Sequence, residues 1–197
     1  MDMRLITLAL GTFAIGTDSF VVAGILPEVS QSLDVSIEAA GQMITVYALA
    51  YALMTPVMAT LTAHWPRRRV LGSGLVIFTI GNVLTAIAPS FDLVLFARVL
   101  AGVGGAMFTP AASATAAALV PPESRGRALA VVMAGLSGAT ALGAPIGTLV
   151  GSVGDWRATM WLVVVLGVLA GLGIAMALPQ LPGSTRLPLR ERLAPLG

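Results

Sequence analysis

The sequence predicts an all-α membrane protein of six transmembrane helices, built as three helices followed by three more in inverted orientation. Hydrophobic residues make up 57% of the chain and charged residues 10%, and the mean hydropathy is +0.93; soluble domains run at roughly 45–50% apolar and ~25% charged. The apolar residues form runs at about 5–26, 39–63, 70–88, 93–120, 128–153 and 158–178, each long enough to cross a bilayer core. Spans two and five also carry a proline at the same depth, Pro56 and Pro145. Each is followed by a turn in which Trp precedes Arg, at Trp65 and Arg67 and at Trp156 and Arg157. A repeat with an odd number of helices places its second copy upside down in the membrane.

The first run follows Arg4 directly. It exceeds a signal-peptide core in length, and Pro27-Glu28 stands where a cleavage site would need small residues, so it reads as an uncleaved span. The loop after it is expected to hold Glu28, Asp34 and Glu38. Span two is free of charge up to His64-Trp65-Pro66-Arg67-Arg68-Arg69, a short basic turn. Span three ends at Pro89. Span four holds Arg98, Gly102, Gly104, Gly105 and Pro110 and is expected to bend at the proline. Span six follows Gly154-Asp155-Trp156-Arg157, and residues 181–197 form a Pro- and Arg-containing tail.

Span five contains no charge from Ala128 to Val153. Every fourth residue from Gly135 is small: Gly135, Ala139, Gly143, Gly147, Gly151. Helices in lipid gain little by hiding apolar surface from one another, so close backbone approach at small residues drives their association. The row therefore predicts a partner helix lying against it.

All eleven cations are Arg. Arg4, Arg67, Arg68, Arg69, Arg125, Arg127, Arg186, Arg190 and Arg192 fall on one side of the six-span arrangement, leaving Arg157 on the other and Arg98 inside span four. The positive-inside rule then makes both termini cytoplasmic in a multi-pass protein of the plasma (inner) membrane. Arg67, Arg68 and Arg69 are expected to fix topology and touch anionic head groups.

Asp18 and Arg98 are the ionisable residues inside spans, and each costs about 2.5–3.5 kcal/mol at a helix centre on insertion scales. At ~1.5 Å per residue from the outer ends of their spans, Asp18 lies roughly 12 Å deep and Arg98 roughly 8 Å deep, so the two can share a level. They are expected to meet across a water-accessible cavity, with Asp18 changing protonation and Arg98 responding. The bland alternative is a static pair, or two independently solvated groups with Arg98 snorkelling outward.

Several chemistries are set aside. Without Cys there is no disulfide, thiolate nucleophile or Cys metal site. No phosphate-binding loop points to ATP, and no cofactor or nucleic-acid partner is expected. Gly135-Leu136-Ser137-Gly138 spells a serine-protease pattern known from rhomboid intramembrane proteases, but a Ser nucleophile needs a base within hydrogen-bond reach. The single His is His64, in the basic turn, so the chain is expected not to be an enzyme.

The stretch Gly16-Thr17-Asp18-Ser19-Phe20-Val21-Val22-Ala23-Gly24-Ile25-Leu26-Pro27-Glu28 resembles the first-helix signature of the drug:proton antiporters of the major facilitator superfamily. Within them it is most similar to the chloramphenicol-exporter and arabinose-efflux-permease type. Arg98 with Gly102 and Gly104 resembles that family's Arg motif, with Ala101 where Gln is usual. Gly143-Ala144-Pro145-Ile146-Gly147 resembles its antiporter motif, which in the family lies between the two halves. The loop between spans two and three departs from the pattern, with Ala63 for Asp and Pro66 for Gly, and keeps Arg67 and Arg68.

The resemblance implies that residues 1–180 are the N-terminal six-helix half of a major facilitator fold and that 181–197 begin a central cytoplasmic loop. It implies a proton-coupled efflux transporter of small molecules, powered by the proton gradient, whose partners are the substrate, the bilayer and a missing C-terminal half or a second copy. Asp18 and Arg98 would couple the proton. Pro56, Gly135, Gly143, Pro145, Gly147 and Gly151 would shape the gate and the contact between halves, and Arg67 and Arg68 the cytoplasmic gate. Phe20, Tyr47, Tyr51, Met107 and Phe108 are the candidates for the substrate cavity. The alternative is a non-transporting half-size membrane protein or assembly partner.

Overall fold

The computed structural model describes residues 2–178; the tail at 181–197, with Arg186, Arg190 and Arg192, lies outside the described residues. Six helices among them are long and apolar enough to span a membrane: α1 (Met3–Leu33), α2 (Ile37–Leu61), α3 (Arg67–Ile87), α4 (Phe91–Ala118), α5 (Pro122–Val153) and α6 (Trp156–Ala177). α1 and α4 are the most buried, α2 and α5 the least. α4 packs on α3 and α2, α1 packs on α6 and α5, and α3 packs on α6. Exchanging α1 for α4, α2 for α5 and α3 for α6 carries each of these packings onto another or onto itself, so the pairing has the symmetry of a three-plus-three repeat.

α1 runs through Pro27 to Leu33, so Glu28 belongs to the helix and the acidic loop is shorter than the sequence implied. Pro27 frees the Ala23 carbonyl, but Ala23, Gly24 and Pro27 lie on an exposed face, where a free carbonyl is not a buried orphan. The helix stops at Asp34 (φ 53°), in the left-handed region that Asp tolerates better than most side chains. There the Val35 amide donates to the Ser30 carbonyl (3.1 Å) and the Ser30 hydroxyl donates to the Val35 carbonyl (2.6 Å), a local closure of the last turn. α4 is continuous through Pro110.

Arg67, Arg68 and Arg69 likewise correct an expectation, since they form the first turn of α3 rather than a loop, and that helix has no side-chain N-cap. Cations at a helix N-terminus oppose the macrodipole, so these Arg do not serve local helix stability. Arg68 donates through Nη2 to the Ala175 carbonyl at the end of α6. Arg67 lines a pocket of about 280 Å³ with Thr62, Trp65, Met107 and Pro110 at the Arg-rich end.

Close approach through glycine sets the α3–α4 seam. A Cβ on Gly81 would lie 2.9 Å from the Ala101 Cα, and one on Gly104 would lie 2.7 Å from the Phe78 Cα. Phe108 extends from this seam into α1, where its ring fills the notch left by Gly11. It is fully buried, so it is core packing and not a cavity wall, contrary to the sequence expectation. Phe108→Ala is expected to lower stability by about 3–5 kcal/mol, the range for emptying a Phe site that rigid neighbours cannot refill. Thermal unfolding of the purified protein in detergent checks this; an unchanged midpoint would count against the packing.

The small-residue row of α5 is a buried seam, and its partner is inside the molecule. A Cβ on Gly135 would overlap the Ala9 carbonyl, one on Gly143 the Thr17 hydroxyl and one on Gly147 the Val21 side chain, all on α1; on Gly151 it would lie 2.7 Å from Thr159 Oγ1 of α6. The expectation that these glycines await an absent neighbour is therefore overturned: α1 lies against them because only a bare backbone admits it. Pro56 and Pro145 are exposed. Immediately before Pro145, residues Ala139–Gly143 form one π-turn. The proline ring would clash with the carbonyl four residues earlier and lacks the N–H that carbonyl expects, and the wider turn relieves both.

Candidate functional site

Asp18 lies on the buried face of α1 with Ala14, Ile15, Val21 and Val22, and Arg98 on the buried face of α4 with Ala97 and Ala101. The structure brings the two side chains together: Arg98 Nη1 donates to Asp18 Oδ1 at 2.7 Å. Both residues are 0% exposed, so the pair is dry and does not meet across a water-accessible cavity, a correction to the sequence reading. Arg98 Nε donates to the Met43 carbonyl of α2 (3.4 Å), and the guanidinium carbon stands 4.4 Å from the centre of the Tyr47 ring, in cation–π range.

Two glycines of α4 make room for this arrangement. A Cβ on Gly102 would lie 2.7 Å from the Tyr47 carbonyl, and one on Gly105 would lie 3.1 Å from the Tyr47 hydroxyl and 3.2 Å from the Tyr51 ring. Tyr47 stacks on Tyr51 with centroids 6.2 Å apart, and the Ser19 and Tyr47 hydroxyls are hydrogen-bonded to each other (3.1 Å). The residue after Asp18 thus ties the aromatic that covers Arg98 back to α1.

The ion pair is attached at one carboxylate oxygen only. Asp18 Oδ2 is buried without a hydrogen-bond partner, and so is Oδ1 of Asn82. Bidentate Arg–carboxylate pairing is the stronger form, and a charge pair removed from water is net favourable only when its remaining lone pairs are satisfied. This pair holds, but it is not saturated. One proton on Asp18 would remove the charge that retains Arg98.

The remaining candidates separate. Tyr47 covers Arg98, and Tyr51 stacks on Tyr47. Met107 lines the pocket at the Arg-rich end with Arg67, and Phe20 is exposed on the open face of α1. Ser137 is exposed on α5 and His64 is exposed in the turn after α2.

Three residues were not anticipated. Asn82 is the one carboxamide of its span, a signal the sequence did contain. Glu28 has Oε2 buried without a partner, about 3.5 Å from where a Cβ on Gly151 would sit. At the Arg-poor end, Arg157 donates to the Ala88 carbonyl (2.9 Å) and Ser32 hydroxyl (3.2 Å) and lies 4.4 Å over the Trp156 ring, so one guanidinium ties together the ends of α1, α3 and α6. Partners on separate backbones made that cluster invisible in the sequence.

Comparison with known proteins bears on all of this. The chain is 36% identical over 200 residues to a chloramphenicol resistance protein of Streptomyces lividans, covering 100% of this chain and 51% of that protein. It is 35% identical over 196 residues to the inner membrane transport protein YdhP of Escherichia coli (strain K12), covering 100% of this chain and 50% of the other. The chain thus spans about half the length of these curated relatives. In fold it is similar to the proton:xylose symporter XylE, with a TM-score of 0.80 at 16% identity over 90% of this chain and 44% of that one. The sequence pattern of the Major Facilitator Superfamily matches residues 8–196. With six spanning helices in a three-plus-three arrangement around a buried Asp–Arg pair, the chain belongs to that superfamily and forms one six-helix half of its fold.

Proposed function

We propose that this chain is the first half of a proton-coupled secondary efflux transporter in the plasma membrane, with both termini cytoplasmic and small, moderately apolar molecules as substrates. The observation that carries the reading is the dry, singly attached Asp18–Arg98 pair at the packing of α1, α2 and α4. A charge pair in lipid-embedded protein is costly to keep and is retained where it does work. Protonation of Asp18 would free Arg98 and loosen its contacts to Met43 and Tyr47, so one proton would change how α2 is held against α4. Alternating access needs such a coupling between an ion and helix packing.

The second six-helix half, continuous with this chain or supplied by another copy, would complete the substrate path between the open faces of α1, α2 and α5. Pro56 and Pro145 stand on exposed sides of α2 and α5 and would shape that contact, with the π-turn as the place where α5 yields. Phe20, exposed on α1, and Tyr51, stacked on Tyr47, are the wall residues this reading favours. The name of the S. lividans relative makes chloramphenicol the first probe.

The experiment is chloramphenicol flux in proteoliposomes holding the complete transporter, with and without an imposed pH gradient. Native protein is expected to move chloramphenicol against its own gradient when protons run the other way. Asp18→Asn is expected to lose that uphill movement while still binding the probe. Equal uphill transport by native and Asp18→Asn proteins would overturn the reading.

A further inference from the structure

Arg98 is held by α1 through the ion pair to Asp18 (2.7 Å). It is held by α2 through the Met43 carbonyl (3.4 Å) and through Tyr47, whose ring centre lies 4.4 Å from the guanidinium carbon. A cation over a ring is held more firmly where water is excluded. The Tyr47 hydroxyl is fixed as well. Ser19 has one hydroxyl hydrogen, and the Ile15 carbonyl takes it (2.8 Å), so the hydrogen between Ser19 and Tyr47 (3.1 Å) is the tyrosine's own. Tyr47 therefore donates to the residue next to Asp18 while its ring serves Arg98.

Tyr51 lies four residues on, on the same side of α2. Its ring stacks on that of Tyr47 with centroids 6.2 Å apart and planes 27° from parallel, inside the range in which aromatic pairs interact. Tyr47 is 6% exposed, whereas Tyr51 is half-buried. α4 meets both rings with the bare backbone of Gly105, where a Cβ would lie 3.1 Å from the Tyr47 hydroxyl and 3.2 Å from the Tyr51 ring. Contacts thus run without a break from Asp18 through Arg98 and Tyr47 to Tyr51, from a fully buried charge to a ring that reaches the surface.

We propose that the Tyr47–Tyr51 stack couples Asp18 to the substrate: an uncharged aromatic group of the substrate lies against Tyr51, and the movement of Arg98 on protonation of Asp18 reaches that group through Tyr47. No proton passes along the stack; the one gained by Asp18 comes from the aqueous phase, and Tyr47 keeps its own. Tyr47 is a positioning residue, and Tyr51 is the substrate contact. An aromatic group suits Tyr51 because ring pairs attract beyond the area they bury. An uncharged one suits it because residues 39–61 of α2 and 128–153 of α5 include no Asp, Glu, Lys or Arg. Among the described residues, Arg98 of α4 and Tyr47 of α2 are the titratable or charged groups against Asp18, and Asp18, Arg98 and Tyr51 are those against Tyr47. α3 adds the uncharged Asn82, and α5 meets α1 here through Gly143 and Gly147. The charge of α6, Arg157, is held at the far end by Ser32 and Ala88. By linkage the coupling is mutual: the factor by which the Asp18 proton alters substrate affinity is the factor by which substrate alters proton affinity.

This inference rests on the proton-coupling reading, and its test separates the two. Equilibrium binding of chloramphenicol, the probe of the flux experiment, to the complete transporter in lipid nanodiscs is measured from acid to alkaline pH. Native protein is expected to bind with an affinity that changes with pH, and Asp18→Asn with one that does not. Tyr51→Leu is expected to weaken binding at its tightest pH by about two- to tenfold, the size of one aromatic pair, and to flatten the pH dependence. Tyr47→Leu is expected to bind the probe with a pH dependence as flat as that of Asp18→Asn, while Tyr47→Phe, which keeps the ring, retains it. Tyr47→Met carries the same expectation as Tyr47→Leu and stands in if the leucine protein does not fold. A Tyr47 that served packing alone would change affinity equally at every pH. A pH dependence undiminished in Tyr47→Leu, one lost equally in Tyr47→Phe, or unchanged binding in Tyr51→Leu would overturn the inference alone. Native binding indifferent to pH, or a pH dependence that survives in Asp18→Asn, would overturn the coupling reading and the inference with it.

Discussion

Arg98→Leu is expected to destabilise the protein by about 3–5 kcal/mol at neutral pH, the range for removing one member of a buried charge pair. The leucine is apolar and well suited to the α1–α4 seam, so the loss comes not from packing but from Asp18, left fully buried with neither of its oxygens paired. The double variant Asp18→Asn/Arg98→Leu is expected to recover most of the loss, because replacing both charges of a buried pair is often neutral or stabilising. Arg98→Lys is expected to fall near the leucine protein: an ammonium cannot also lie flat on Tyr47 while reaching both Asp18 and the Met43 carbonyl. Thermal unfolding of the native, Asp18→Asn, Arg98→Leu and double-variant proteins in one detergent closes the double-mutant cycle. Additive losses would mean that the two residues are not coupled and that the 2.7 Å contact has no energetic standing. Recovery of stability in the double variant without recovery of transport would separate what the pair does for folding from what it does for coupling.

Gly135→Val is the second large effect. Its branched side chain has no place to go, since even a Cβ at that position would overlap the Ala9 carbonyl and the Thr12 hydroxyl. That hydroxyl is itself committed to the Val132 carbonyl (2.8 Å). Overpacking typically costs about 1–3 kcal/mol, and here the obstacle is backbone, so α1 and α5 must separate along the seam. The expected result is a fall in thermal midpoint beyond that of Phe108→Ala, or failure to accumulate folded protein. Gly171→Ala provides the contrast: its Cβ would meet nothing within 4 Å, and a helix-interior Gly-to-Ala change is expected to add about 0.5–1 kcal/mol. Equal midpoints for the valine and alanine proteins would show that the α5 row is not a close-packed seam.

The row illustrates how far sequence could reach. Its fourfold spacing is a property of one helix, and it states that something packs there. Which helix packs is a property of two, and nothing in the spacing of Gly143 and Gly147 distinguishes α1 from an absent partner. Asp18 and Arg98 stood out because charge in an apolar run is rare and costly; that each is covered by Tyr47 or flanked by Asn82 depends on helix rotation, which the apolar pattern leaves free when every face of a span is apolar. The place of Phe108 in the core is hidden for the same reason, since an aromatic in a spanning helix suits a core as well as a wall. Asn82 is legible as the one carboxamide of its span, but an uncharged polar side chain there does not stand out from hydroxyl-bearing neighbours that bond their own helix, as Thr85 does to the Gly81 carbonyl (2.9 Å).

The sequence by itself determined the class of the molecule: six helices, their order and their approximate ends. Bilayer thickness and the demand that backbone groups bond internally leave few alternatives for long apolar runs. Tertiary structure decided which faces meet, because helices in lipid are sorted by close backbone approach and by a few polar contacts rather than by burial of apolar surface. Those terms depend on atoms from two or three helices at once, and so the Asp18–Arg98–Tyr47 cluster and the α1–α5 seam exist only once the bundle has formed.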